Sequence, residues 1–156
     1  MGQQQLLLVI LVTIIVGIAT VVAINIFGTA AEQANQDAIR QDLLTAATNA
    51  QGIWSRPEMM GGVGGDFTTT PPLDEQFVSR LGIPGFTNGL VISNENAEYT
   101  VVRAANILTI NVVPNSSPGT WSMTVERVVA DGVWVVTITD NDGSDTVIDP
   151  RIDPNA

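Results

Sequence analysis

Two hydrophobic patterns run end to end through the first third of the chain. From Leu6 to Phe27 no position is charged, and 16 of the 22 residues are Leu, Ile, Val or Phe. Past Thr29 the apolar positions step by three and four, at Ala31, Ala34 and Ala38, Ile39, Leu43, Ala46, Ala50 and Ile53, among Gln, Asn, Asp and Thr. The first pattern is apolar on every side, whereas the second predicts an amphipathic helix with one buried stripe. No proline interrupts residues 1–54, and Gly52 and Pro57 mark a stop. The simplest element is one helix of about 50 residues, ~80 Å long, with an apolar first half and an amphipathic second half.

The apolar run constrains the environment of the chain. Leaving its large side chains in water would cost ~25–50 kcal/mol, which excludes a soluble monomer that exposes them. At 1.5 Å per residue the run is about 33 Å long, the hydrocarbon thickness of a bilayer. A secretory signal fits poorly, because its apolar core is shorter and its flank is basic. Here Gln3, Gln4 and Gln5 precede the run, and the first cation is Arg40, after Glu32 and Asp37. The usual positive-inside cue is absent. Because Glu32 and Asp37 come before Arg40 on the far side of the run, the expected orientation places the C-terminal side outward.

Beyond the helix the periodicity changes. Residues 55–72 carry four glycines within five positions and end in two prolines, which predicts a loop. Met59 and Met60 are expected to cover part of the core. The stretch LDEQFVSRLG predicts a short helix, with Asp74 as N-cap, Gly82 at its end, and Leu73, Phe77 and Leu81 on the buried face. From Gly89 the period becomes two. The expected strands are Leu90–Ser93, Tyr99–Ala104, Ile107–Val113, Trp121–Val129 and Val133–Thr139. Asp131-Gly132 reads as a two-residue hairpin turn. An antiparallel meander of four or five strands, its inner face on the helix stripe, makes the expected fold α+β. The domain reading is thus helix 1–54, loop and short helix 55–88, β-domain 89–148 and an extended tail 149–156. Trp54, Trp121 and Trp134 are expected in the core or at subunit contacts.

Composition narrows the chemistry. The chain has 16 acidic residues against 6 arginines, a net charge of −10, and no His, Cys or Lys. Nucleic-acid binding through charge is not expected, since it needs a basic patch. Only carboxylates, Tyr99, Arg and hydroxyls remain for acid–base or nucleophilic work, and a non-enzymatic role without catalytic residues or a cofactor is the expectation.

Two local motifs carry candidate chemistry. In DNDGSD, Asp140, Asp142 and Asp145 surround a Gly turn with the oxygen-rich spacing that calcium favours. The run resembles the first half of an EF-hand loop, but Arg151 stands where the bidentate Glu would be. The same residues also read as an ordinary Asp-Gly turn in an acidic protein. Asn115-Ser116-Ser117 is an N-glycosylation sequon on an expected turn.

The long helix, half apolar and half amphipathic, followed by a β-domain, resembles the type IV pilin superfamily. The resemblance covers residues 1–54 in detail and the rest in general plan. Two departures are visible: Gln5 stands where most bacterial pilins carry Glu, and the apolar half has Gly17 and Thr20 but no proline. Gly2-Gln3 looks like a prepilin peptidase junction, with Met1 as the alternative mature N-terminus. The resemblance implies an extracellular homopolymer, membrane-inserted before assembly and built with a prepilin peptidase and pilus assembly machinery. Its expected assembly residues are Gln3, Gln4, Gln5, Leu6, Leu7, Val9, Ile10, Ile14, Val16, Gly17, Val21, Ile24 and Phe27. The glutamines can be buried without charge and can hydrogen-bond across neighbouring helices. A secretion-system pseudopilin and a membrane-anchored monomeric binding domain are the alternatives.

Overall fold

The computed structural model describes residues 2–69 and 72–149. The expected tail beyond Asp149, and Met1 as a mature N-terminus, lie outside the described residues. The fold is α+β. A helix, α1 (Gly2–Ser55), is followed by a 3-10 turn (Glu58–Met60), a short helix α2 (Asp74–Arg80) and seven strands. The chain divides into two units between Gln36 and Asp37, and α1 runs through the division.

The first unit is helix alone. The two hydroxyls within its apolar run bond to its own backbone: Thr13 Oγ1 donates to the Ile10 carbonyl and Thr20 Oγ1 to the Val16 carbonyl, both at 2.8 Å. Neither hydroxyl then needs a partner from outside the helix. Gly17 causes no break, as expected where the only penalty is one glycine's low helix propensity.

The second unit is built on the amphipathic half of α1. Ile39, Leu43, Ala46, Ala47, Ala50, Ile53 and Trp54 are its buried positions. They match the predicted stripe from Ile39 onward, whereas Ala31 and Ala34 are exposed. Against this stripe lies one antiparallel sheet in which sequence neighbours pair throughout: β1 (Phe86–Asn88), β2 (Val91–Ser93), β3 (Ala97–Arg103), β4 (Ile107–Pro114), β5 (Trp121–Arg127), β6 (Trp134–Thr139) and β7 (Asp145–Ile148).

Register puts the large apolar residues in rows on one face. Tyr99, Val112 and Trp121 stand opposite one another, as do Val101, Ile110, Met123 and Ile138, and all are buried. The other face carries the row Thr109, Thr124 and Thr137. This alternation is what an antiparallel sheet with one covered face requires.

Several expectations need correction. The sheet has seven strands rather than four or five. β1 is a three-residue piece between Gly85 and Gly89, and β7 follows the DNDGSD turn. Asp74 is the first residue of α2 and not its cap. Leu73 precedes it without a side-chain cap bond, and the Asp74 carboxylate instead accepts from Arg103 at 2.9 Å. Leu73 is 64% exposed, and Val78 joins Phe77 and Leu81 in the core. Met59 and Met60 are exposed. The Asp131-Gly132 turn is longer than two residues: Val128 N–H donates to the Val133 carbonyl and Gly132 N–H to the Val128 carbonyl. A two-residue type I′ turn needs positive φ at both positions. Here Gly132 alone has it (φ 67°).

The glycine-rich segment is tied down rather than free. Phe67, fully buried, meets Trp54 edge-on at 4.8 Å and Phe77 at 6.1 Å between ring centroids. Arg103 on β3 donates to the carbonyls of Phe67 and Thr69 at 2.5 and 2.7 Å, pairs with Asp74, and lies 4.5 Å from the Phe77 ring centroid. One guanidinium thus joins β3, the loop and α2. At the far end of α2, Asn49 of α1 donates to the Leu81 carbonyl at 2.9 Å. Gly82 next to it has φ 78°, and a Cβ there would come within 2.5 Å of the Asn49 amide nitrogen. The glycine is needed for both reasons.

Candidate assembly surface

All sixteen large apolar side chains from Leu6 to Phe27 are exposed, between 46% (Ile10) and 74% (Phe27). An 18-residue window of the helix reaches a mean hydropathy of 3.2, long and apolar enough to cross a membrane. Monomeric soluble proteins rarely leave more than a few hundred Å² of contiguous apolar surface uncovered. Gln3, Gln4 and Gln5 are also helical and exposed, so their amides are available at the start of the apolar surface. The expected assembly positions from Leu6 to Phe27, Gly17 among them, therefore lie on one uncovered helical segment. Asn25 is a polar side chain within that segment that sequence reading passed over.

No catalytic constellation is gathered among the described residues. A groove of about 540 Å³ is lined by Asn111, Trp121, Thr139 and Asp140, among others, and another of about 480 Å³ by Trp54, Pro57, Gly64 and Arg127. Neither brings an acid and a base together.

The candidate calcium residues have other uses. Asp140 Oδ1 accepts the backbone N–H groups of Asp142 and Ser144 at 3.0 and 3.2 Å, which closes the turn. Asp145, at the start of β7, accepts the Thr139 hydroxyl at 2.6 Å. Among the described residues no group of three or more His, Cys, Asp or Glu side chains is arranged to hold a metal. The arrangement is that of an Asx turn joining β6 to β7.

Asn115, the sequon residue, is exposed, yet its amide nitrogen donates to the carbonyls of Asn94 and Glu95 at 2.9 and 3.2 Å. A glycan would replace one of those two protons. In this structure the Asn115 side chain holds the β2–β3 turn.

Two titrating groups are displaced. Tyr99 is fully buried, and its hydroxyl donates to Asp42 of α1 at 2.8 Å. Burial first, and the Asp42 carboxylate second, hold its phenol well above the usual range. Asp66 accepts from the Thr68 hydroxyl and amide, which hold its carboxyl below the usual range. Both are structural: one fastens sheet to helix, the other closes the turn of the loop that contains Phe67.

A long N-terminal apolar helix with an antiparallel sheet on its second half is an arrangement compatible with a pilin-like fold. Comparison with protein-family models, with curated proteins and with solved structures returns no match.

Proposed function

We propose that this chain is the structural subunit of an extracellular type IV pilus-like filament. The observation that carries the reading is the uncovered apolar half of α1 joined to a half that is the spine of a folded domain. Before assembly the apolar half resides in the membrane, where its backbone groups are satisfied within the helix and its hydroxyls bond to the preceding turn. In the filament the same side chains are reburied against copies of themselves. The apolar area moves from lipid to protein with little change in solvation, so packing and hydrogen bonding decide the outcome. Gln3, Gln4 and Gln5 enter that core uncharged, avoiding the several kcal/mol that an unpaired buried ion would cost.

The remaining partners in this reading are a prepilin peptidase acting near Gly2-Gln3 and the machinery that extracts subunits from the membrane. The role is structural, not enzymatic. Electron microscopy of material shed from cells expressing the chain tests the proposal directly. Filaments whose protein, by mass spectrometry, is this chain are the expected result. A chain recovered only from membranes, monomeric in detergent, would instead support an anchored binding domain, and short stubs tied to the cell envelope would support a pseudopilin.

A further inference from the structure

Arg40 is the first cation of the chain and the only one before Arg56. Its guanidinium lies 5.5 Å from the ring centroid of Trp121, itself only 3% exposed, while Arg40 remains exposed. Among the described residues the ion pair formed is Arg103 with Asp74, and Arg40 has no carboxylate partner. Stacking on a rigid, buried indole fixes the direction of the guanidinium while leaving its edge N–H groups free to donate. Glu32, the first acid of the chain, is likewise exposed and without an ion-pair partner among the described residues.

We propose that Arg40 of one copy pairs with Glu32 of the next, and that this pair sets the axial stagger between neighbouring helices. The inference rests on the filament reading, and it names a contact that reading leaves open. Charge selects the partner. In a polymer of subunits carrying −10 each, like-charge repulsion accumulates, and an exposed, pre-oriented cation is where a neighbour's acid is attracted.

Spacing selects the acid. Asp37 is three residues from Arg40, within one turn of the same helix, and feels its own Arg40 at any stagger. Glu32 is eight residues away, about 12 Å of helix, beyond the one-turn spacing of intrahelical pairs. It meets an Arg40 closely only if that arginine belongs to a parallel copy shifted by about that distance. The pair would lie five residues past Phe27, just outside the apolar segment, so its two charges need not be fully desolvated.

Charge reversal in the full-length chain tests the pair, with sheared-filament yield as the readout and circular dichroism in detergent to check that each variant folds. Glu32→Arg and Arg40→Glu should each lower yield ~10-fold or more, since like charges are then juxtaposed. The double exchange should restore it to within about threefold of the parent, because the pair is re-formed with reversed polarity. Single reversals that assemble like the parent would overturn the pair while leaving the filament reading intact. Failure of the double exchange to recover, or equal rescue of Arg40→Glu by Asp37→Arg, would overturn the assignment to Glu32. Absence of filaments from the unmodified chain overturns the filament reading itself, and this inference with it.

Discussion

Individual side chains in this protein act mainly as fasteners between elements. Tyr99 shows this most directly, because its hydroxyl bonds to Asp42 while its ring fills the space between sheet and helix. A phenol whose folded-state pKa is raised stays protonated in the native state after the unfolded chain has begun to lose its proton. Its stabilisation is therefore complete below pH 10, the ordinary value, and is lost as pH rises above it. Tyr99→Phe should cost about 0.5–1.5 kcal/mol at pH 7 through the lost hydrogen bond. It should also flatten the decline in stability above pH 10. Denaturant titrations of both proteins at several alkaline pH values measure the two effects, and an unchanged alkaline limb would show that another group controls it. Tyr99 could be named from sequence as a titratable residue, but its partner could not. Asp42 is 57 positions away, and only the packing of β3 on α1 joins them.

At the scale of elements, the spacing of small residues on α1 decides how closely the sheet approaches. Ala46, Ala47 and Ala50 are all buried among larger neighbours such as Leu43, Ile53, Ile110 and Met123. Side chains limited to one methyl allow close packing, and a longer one has no room without displacing its neighbours. Ala46→Leu should therefore destabilise the fold by about 1–3 kcal/mol despite its added apolar surface. The same change at exposed Leu44, reversed to Ala, should stay within about 0.5 kcal/mol. Chemical denaturation of the two variants gives the comparison.

Helices and long strands were legible at this scale because each shows its period over many residues. β1 and β7 were not, since neither strand has a buried position and so neither carries an apolar face for the sequence to show. Val63 and Phe67 escaped for a related reason. A single apolar residue in a glycine-rich loop has no periodic neighbours, and only its contact with Trp54 and Phe77 identifies it as core.

For the whole molecule, the apolar segment and the folded domain have separate physical requirements. Val16, 57% exposed, lies in the middle of the segment and in the first unit. Under the proposed function, Val16→Asp places an unpaired charge in every copy of the helix core, at a cost of several kcal/mol per subunit. Filaments should be lost, while the near-ultraviolet circular dichroism of the tryptophan cluster in detergent stays as in the parent. Abundant filaments from this variant would show that the segment is not buried between subunits. Loss of the tryptophan signal would show that its effect spreads into the domain.

The amino-acid sequence by itself determined the elements whose cause is local and repeated. These are the 22-residue apolar run, the stripe from Ile39 to Ile53, the alternation from β2 to β6 and the absence of His, Cys and Lys. Each follows from solvation or backbone geometry acting on neighbouring residues, so a short window contains the whole signal. Tertiary structure alone decided which distant groups meet. It gave the Asn115 amide to the β2–β3 turn and used Arg103 to close the loop onto α2. It also set Arg40 on the face of Trp121. A carboxylate or an amide has the same appearance in sequence whether it binds an ion, carries a glycan or holds a turn. Its role depends on which donors and acceptors the folded chain brings within hydrogen-bonding distance.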